Sequence, residues 1–572
     1  MMFIVAASIL VLLILLAQNR YKPAVLFFGV STLYYFLGLI NLDAMLKNFI
    51  NQSLVTLVLL ILISIALEKT SFLSTLSEKL FSASFHGSLF RMNFFTLFAS
   101  AFLNNTAVVV SMIGVIKQNK RHSASKLLLP LSYAAIFGGV ITLVGTSTNL
   151  IVNGFMIERG LQGFEIFDFA YVGLPLAIVC SFVLHFVVKF LPEGNPSDEI
   201  QVQSYFIEAK VKKGSKLIGK SIKENGLRRL EYLFLSEILR DGRIISPVSP
   251  GETLREHDIL IFSGDVREIA LLKKFDGLEL ENHRHNLSFN LVEAIISHES
   301  SLVGKALKSS SFRTKFDASV VAIKRGDEKL SGKIGEITLQ AGDSLILAIG
   351  DDFHQRDNLA KNFYFINQIN LQDRLTRNQS LFVMLAFIGV IAGGALKLFP
   401  LVKGLFGLLV LFLIFGFVRA AEIKRRFPYE LILIIGSALG ISAVIISSGL
   451  ATGISQVLQY LFGGLGVYGA FLSVYLVTLI LTEIITNNAA AALAFPIGYS
   501  TSVALDANLM PFAMAVAYGA SASFMTPFGY QTNLMVASVG GYGFKTFLKS
   551  GIFVSVVYSA MALTLIPIFF PF

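Results

Sequence analysis

Apolar runs long enough to cross a bilayer recur through residues 1–190 and 378–572, and they leave the chain few folds to adopt. A hydrocarbon core takes about 20 consecutive apolar residues as a helix. Lipid offers backbone N–H and C=O groups no partner, so a spanning segment must be a helix or one strand of a closed barrel. The alternating apolar and polar segments of a barrel are not there, which leaves helices. A 54% hydrophobic composition and a mean hydropathy of +0.69 agree. The expectation is a polytopic α-helical protein integral to the plasma membrane, the inner membrane in a Gram-negative cell. Residues 2–17 read as a retained first helix, because Arg20 and Lys22 follow the run instead of preceding it. A single cysteine, Cys180, excludes an intrachain disulfide and a thiolate metal site.

The net charge of +10 raises the question of nucleic acid, and its location answers it. Acidic and basic residues balance between 191 and 379, so the excess sits on the apolar halves. There it gathers at Arg20 and Lys22, Lys117 to Lys126, Lys189, Arg419 to Arg426, and Lys545 with Lys549. The positive-inside rule assigns those loops to the cytoplasm and the poorer loops around Lys47, Arg159 and Lys397 to the outside. Residues 191–379 are then cytoplasmic, and the two apolar halves run in opposite senses. Inverted repeats of this kind build many secondary transporters.

The middle segment alternates charged residues, β-branched runs and turn signals, as small α/β domains do. It is internally repeated. Leu217-Ile218-Gly219-Lys220 matches Leu302-Val303-Gly304-Lys305, and Asp258-Ile259-Leu260-Ile261 matches Asp343-Ser344-Leu345-Ile346. A hairpin is expected around turns such as Arg240-Asp241-Gly242-Arg243. Two domains follow, at 200–280 and 285–360, and their order resembles the RCK-C domains carried by potassium-channel regulators and some transporters. That resemblance implies either a regulatory small ligand or a role in bracing a dimer.

A second duplication carries the chemistry. Leu103-Asn104-Asn105-Thr106-Ala107 and Gly145-Thr146-Ser147-Thr148-Asn149 in the first half are answered by Thr486-Asn487-Asn488-Ala489 and Gly529-Tyr530-Gln531-Thr532-Asn533 in the second, at nearly equal spacing. Polar breaks in corresponding apolar segments are the best sequence pointer to a transporter's binding site. Asn, Thr and freed carbonyls supply oxygen ligands for a hard cation, and helix N-termini supply N–H groups to an anion. Glu483 is the embedded carboxylate; four positions before Asn487, it is expected on the same helical face, as a coupling residue or a hydrogen-bonded structural group. Gly464-Leu465-Gly466-Val467-Tyr468-Gly469 fits a dinucleotide fingerprint but lies between apolar helices, without the strand and acidic partner that would support it.

At these residues the chain resembles the divalent anion/sodium symporter family, whose members carry a Ser-Asn-Thr motif in each half. The resemblance covers both membrane halves. It implies sodium sites at Asn105, Gly145 and Asn149 and at Asn487, Gly529 and Asn533, with Asn104, Asn105, Thr106, Thr486, Asn487 and Asn488 around the substrate. It also implies a homodimer with an elevator-type transport domain, broken helices and two re-entrant hairpins, expected at 72–92 and within 437–464. The departures are Asn at 104 in place of Ser and Asn at 488 in place of Thr. A sodium-coupled symporter of a small divalent anion follows, sulfate before a sodium- or proton-coupled dicarboxylate. Sodium is the coupling ion, with no organic cofactor, no enzymatic chemistry and no nucleic-acid partner. An ion channel gated by the middle domains is the reading from a different class.

Overall fold

The computed structural model describes residues 1–18, 21–70, 80–81, 84–119, 121–193, 206–227, 233–241, 243–245, 248–264, 275–280, 291–297, 300–330, 334–350, 352–356, 358–365 and 375–572, with residues 230 and 272. The chain divides into two units. One holds 1–192, 372–536 and 544–572; the other holds 193–371 with 537–543.

Among the described residues, the regular elements of the first unit are helices. Its first half runs α1 (Met2–Ala17), α2 (Pro23–Phe36), α3 (Leu42–Asn48), α4 (Gln52–Glu68), α5 (Phe85–Ser100), α6 (Asn105–Gln118), α7 (Ala124–Gly139), α8 (Ser147–Glu158) and α9 (Ala170–Val187). The second runs α10 (Arg377–Ala395), α11 (Leu401–Ile414), α12 (Ala420–Arg426), α13 (Tyr429–Ser447), α14 (Leu450–Phe462), α15 (Gly466–Ile484), α16 (Asn487–Ala504), α17 (Leu509–Ser521), α18 (Gln531–Gly540) and α19 (Phe544–Phe569). Among the described residues, six helical segments are long and apolar enough to cross a membrane: Leu42–Glu68, Ala170–Phe190, Arg377–Ala395, Tyr429–Ser447, Gly466–Ile484 and Phe544–Phe569.

The halves interlock. Helix α2 packs on α13 and α4 on α11, so each half lays a helix on its opposite number's neighbour. Within the halves, α5 packs on α7 and α15 on α17, and α9 meets α19 across the repeat. Ion pairs tie the halves at one end of the unit: Lys22 with Glu430, Arg426 with Glu68, and Lys69 with Glu422 at 2.7 Å. Lys397 and Glu165 pair at 2.6 Å.

Helices α15 and α16 pack along one another, so the chain folds back at Ile485 and Thr486 and presents the second Asn motif at the turn. The stretch 437–464 instead contains the end of α13, a turn at Gly449 with φ +80°, and α14. Of the other expected hairpin, residues 71–79, 82 and 83 lie outside the described residues, and 85–92 open α5.

The second unit carries two five-stranded antiparallel sheets in the same order. The first is β3-β2-β4-β1-β5, with β1 (Phe206–Val211), β2 (Leu233–Arg240), β3 (Arg243–Ile245), β4 (Ile259–Gly264) and β5 (Leu278–Leu280). The second is β8-β7-β9-β6-β10, with β6 (Leu291–Ile296), β7 (Ala318–Arg325), β8 (Glu328–Leu330), β9 (Ser344–Ile349) and β10 (Phe363–Phe365). The copies share small details. A β-bulge falls between Leu235 and Glu237 in one and between Val320 and Ala322 in the other. Arg240 grips Asp258 as Arg325 grips Asp343, each Nε at 2.8 and 2.7 Å. Each sheet covers its own apolar core, around Ile238, Leu260 and Phe262, and around Ile323, Leu345 and Phe353. Gly242 of the expected hairpin turn and residues 265–271 and 281–290 lie outside the described residues.

Candidate functional site

Four helix breaks build the site. Helix α5 stops at Ser100 and α6 starts at Asn105; α7 stops at Gly139 and α8 starts at Ser147. Their counterparts are α15 to α16, and α17 to α18. Every such break leaves terminal carbonyls and amides without intrahelical partners. Short polar side chains claim some of them. Asn104 caps α6 by accepting from Thr106 N at 2.9 Å.

The sequence repeat is a repeat of individual hydrogen bonds. Thr142 Oγ1 donates to Ala101 O, and Thr526 Oγ1 donates to Glu483 O at 3.0 Å. Asn149 Nδ2 donates to Thr142 O at 2.9 Å, and Asn533 Nδ2 donates to Ser523 O at 2.8 Å and Thr526 O at 3.5 Å. The same folding of the loop over the break therefore occurs twice.

In the first half the loop closes a cluster of oxygens. A Cβ on Gly145 would stand 2.5 Å from Gly139 O and 3.0 Å from both Ala101 O and Ser100 O. Only glycine allows that approach. Asn105 is buried; its Nδ2 donates to Tyr530 Oη at 2.7 Å, while its Oδ1 has no partner. Asn149 Oδ1, in a fully buried residue, also has none. Leaving such acceptors unmet costs about 1–3 kcal/mol each. Two unmet amide oxygens beside converging carbonyls form a hard, neutral donor set of the kind an alkali cation takes.

The second half is not a copy at this level. A Cβ on Gly529 would lie 2.1 Å from Thr482 O and 2.2 Å from Ser523 Oγ. Here the amide oxygens are engaged: Asn487 Oδ1 accepts from Asn488 N at 2.9 Å, and Asn533 Oδ1 from Ser132 Oγ at 2.7 Å. The buried oxygens left over are Ser523 Oγ and Glu483 Oε2. Glu483 corrects the expectation of a face shared with Asn487, because α15 ends at Ile484 and the chain reverses before Asn487. Its Oε1 accepts from Phe524 N at 2.8 Å and Met525 N at 2.9 Å, holding the break after α17.

Contacts across the repeat bring the two motifs together. Ser147 Oγ donates to Asn488 Oδ1 at 2.7 Å, which joins the first turns of α8 and α16. Thr106 Oγ1 donates to Gln531 Oε1 at 3.1 Å, which joins those of α6 and α18. Tyr530 reaches over to Asn105 and stands 3.1 Å from Thr146 Oγ1. Helix N-termini carry partial positive charge and free N–H groups, so two such pairs form an anion-attracting centre. Asn104 is exposed at this centre, while Thr106 and Thr486 are half-buried. Sequence reasoning passed over Ser147, Tyr530 and Gln531. All three lie within the duplicated segments; the signal that could have found Ser147 and Gln531 is the polar side chain at the first position of α8 and of α18, with Tyr530 immediately before it.

Comparison with known proteins gives a consistent set. A family model described as a citrate transporter matches residues 3–517. An uncharacterized transporter of Synechocystis is 29% identical over 549 residues, covering 91% of this chain and 89% of that protein. An uncharacterized transporter of Escherichia coli is 23% identical over 99% of both. Sodium/sulfate cotransporter 1 of Chlamydomonas reinhardtii is 30% identical over 370 residues, 61% of this chain and 41% of that longer protein.

Proposed function

The chain belongs to the citrate transporter family, and from that premise we propose that it is a sodium-coupled symporter of a small divalent anion, sulfate first. The observation that carries this is the pairing of helix N-termini, α8 with α16 and α6 with α18, beside the unmet oxygens of Asn105 and Asn149. A dianion alone is costly to move through a low-dielectric barrier. Cations held next to it offset that charge, so the two travel together.

In this reading the first sodium sits among Asn105, Asn149 and the carbonyls around Gly145, and a second among Asn487, Asn533 and the backbone at Gly529. Asn104, Thr106, Thr486 and Asn488 line the anion site, where the amide Nδ2 groups of the two asparagines donate to the anion together with the helix amides. Sodium coupling and sulfate are supported by the name of the Chlamydomonas relative. A dicarboxylate such as succinate is the second reading, favoured by the family's description as citrate transporters. Alternating access by an elevator motion, a homodimer, and regulation or bracing by two cytoplasmic RCK-C domains complete the proposal.

The test is uptake of radiolabelled sulfate into proteoliposomes under an inward sodium gradient, with succinate and citrate as competitors. Saturable, sodium-driven sulfate entry that neither competitor blocks supports the reading. Sodium-driven succinate entry without sulfate entry moves the assignment to dicarboxylates. Non-saturating flux indifferent to the sodium gradient would make the protein a channel.

A further inference from the structure

Helix α5 carries a second set of unmet polar groups below the ion site. Asn93, Thr96 and Ser100 are 1%, 0% and 0% exposed. Both Nδ2 and Oδ1 of Asn93, Oγ1 of Thr96 and Oγ of Ser100 have no hydrogen-bond partner. Their spacing puts them on one face of the helix. The line ends at the oxygen cluster, because Ser100 O is one of the carbonyls facing Gly145.

The matching positions of α15 are built differently. Tyr475 Oη bonds to Ser559 Oγ at 2.9 Å, Thr478 Oγ1 donates to Val474 O at 2.7 Å, and Thr482 Oγ1 to Ala520 O at 2.6 Å. Each is satisfied within the protein. The unmet line is therefore a property of the first half and not of the repeat. Hydroxyls in helices ordinarily bond back to the preceding turn, as Thr478 does, and Thr96 and Ser100 do not.

Asn93 presents a donor and an acceptor together, which suits water better than a bare ion; the hydroxyls of Thr96 and Ser100 suit either. Over seven residues the helix rises about 10 Å, too far for one ion and the length of a short file of small polar species. Buried polar groups that lack protein partners are met by ordered water, which makes about three hydrogen bonds in such places. We infer that Asn93, Thr96 and Ser100 line a narrow hydrated file through which the cation at Asn105 and Asn149 exchanges with the side of the membrane at the start of α5. By the charge pattern of its neighbouring loops, that side is the cytoplasm. The inference rests on the sodium site proposed above and extends it.

Two measurements on the full-length protein in liposomes test the file. In the first, Asn93→Cys and Thr96→Cys are treated with a small cationic thiol reagent. Wild type, whose single cysteine is buried, is the blank, and Thr478→Cys is the control from α15. Labelling at 93 and 96 severalfold faster than at 478, and slowed by sodium but not by potassium, is the expected result. No labelling in folded protein, or labelling indifferent to sodium, overturns the file.

In the second, Thr96→Val should raise the sodium concentration for half-maximal uptake severalfold, leave the substrate KM at saturating sodium unchanged, and be rescued by Thr96→Ser. An unchanged sodium dependence in Thr96→Val counts against the file alone. Wild-type uptake that ignores sodium would instead bring down the reading on which the file rests, and the two failures are thus separable.

Discussion

At the scale of single residues, the asymmetry between the two Asn pairs decides what substitutions should do. Asn105 and Asn149 keep free acceptor oxygens, whereas Asn487 and Asn533 have theirs engaged. On the proposed sodium site, Asn105→Ala or Asn149→Ala should remove a ligand worth about 1.5–3 kcal/mol, or roughly a ten- to hundredfold loss of apparent sodium affinity. Asn487→Ala is expected to abolish uptake, because it removes the side chain whose Oδ1 accepts from Asn488 N at the start of α16. Expression level, size-exclusion profile and the sodium dependence of uptake check all three; normal transport in each would refute the site. Gly145→Ala sets a methyl against three carbonyls and should stop uptake while the protein still assembles. Glu483 ties its Oε1 to two backbone amides, as a cap does. Glu483→Gln keeps one acceptor there, so the pH profile of uptake should be unchanged while the melting temperature falls; a shifted profile would make it a proton carrier. The duplicated Asn and Gly positions were legible because they are local. Tyr530, Gln531 and Ser147 were not, since their partners lie across the repeat and exist only once the halves are folded together.

At the scale of elements, hydropathy marked the apolar helices but not how each enters the membrane. Helix α15 is as long and apolar as a span and nevertheless folds back onto α16 at the motif, because Ile485 and Thr486 adopt extended backbone between them. Apolar content alone cannot distinguish a helix that crosses from one that folds back on its neighbour. The strands of the middle segment were easier, since period-two runs and turn glycines are short-range signals. Between elements, the Lys69 and Glu422 pair is the one to test. The Lys69 side chain is 5% exposed, against 43% for Lys22 in the pair with Glu430. Burial pushes the Glu422 carboxyl up, but the hydrogen bonds from Lys69 and from the Arg419 backbone outweigh it and hold the group below its ordinary value. A depressed carboxylate stabilises the folded form above its unfolded-state value, and that contribution is lost as pH falls through the folded-state value. Lys69→Ala should therefore cost about 3 kcal/mol and flatten the acid limb of the melting curve, whereas Lys22→Ala should cost about 0–1 kcal/mol.

For the whole molecule, removing residues 200–360 should leave the membrane halves folded. The two sheets of the second unit each bury a core of their own, which permits that separation. Altered regulation or a weaker dimer is the expected phenotype, read from uptake and from mass in detergent. Complete loss of transport in an assembled dimer would show that these domains belong to the transport cycle. The neutral middle between two basic apolar halves is legible in the sequence, because composition changes sharply at both junctions. The packing of α2 on α13 and of α4 on α11 is not, as it is a long-range arrangement between similar apolar surfaces.

That interlocking bears on how the protein is made. When α2 and α4 leave the ribosome, the helices they pack against have not been translated, and the whole middle segment must be synthesised first. At about 5–20 residues per second, the wait is on the order of tens of seconds. Throughout it, the early helices have only lipid, the insertion machinery or a chaperone to cover faces meant for α11 and α13. Biogenesis is then a two-stage event in which the N-terminal half is held open for its late-arriving partner. A nascent chain stalled before residue 401 should be recovered bound to insertion factors and degraded readily, however stable the finished transporter proves to be.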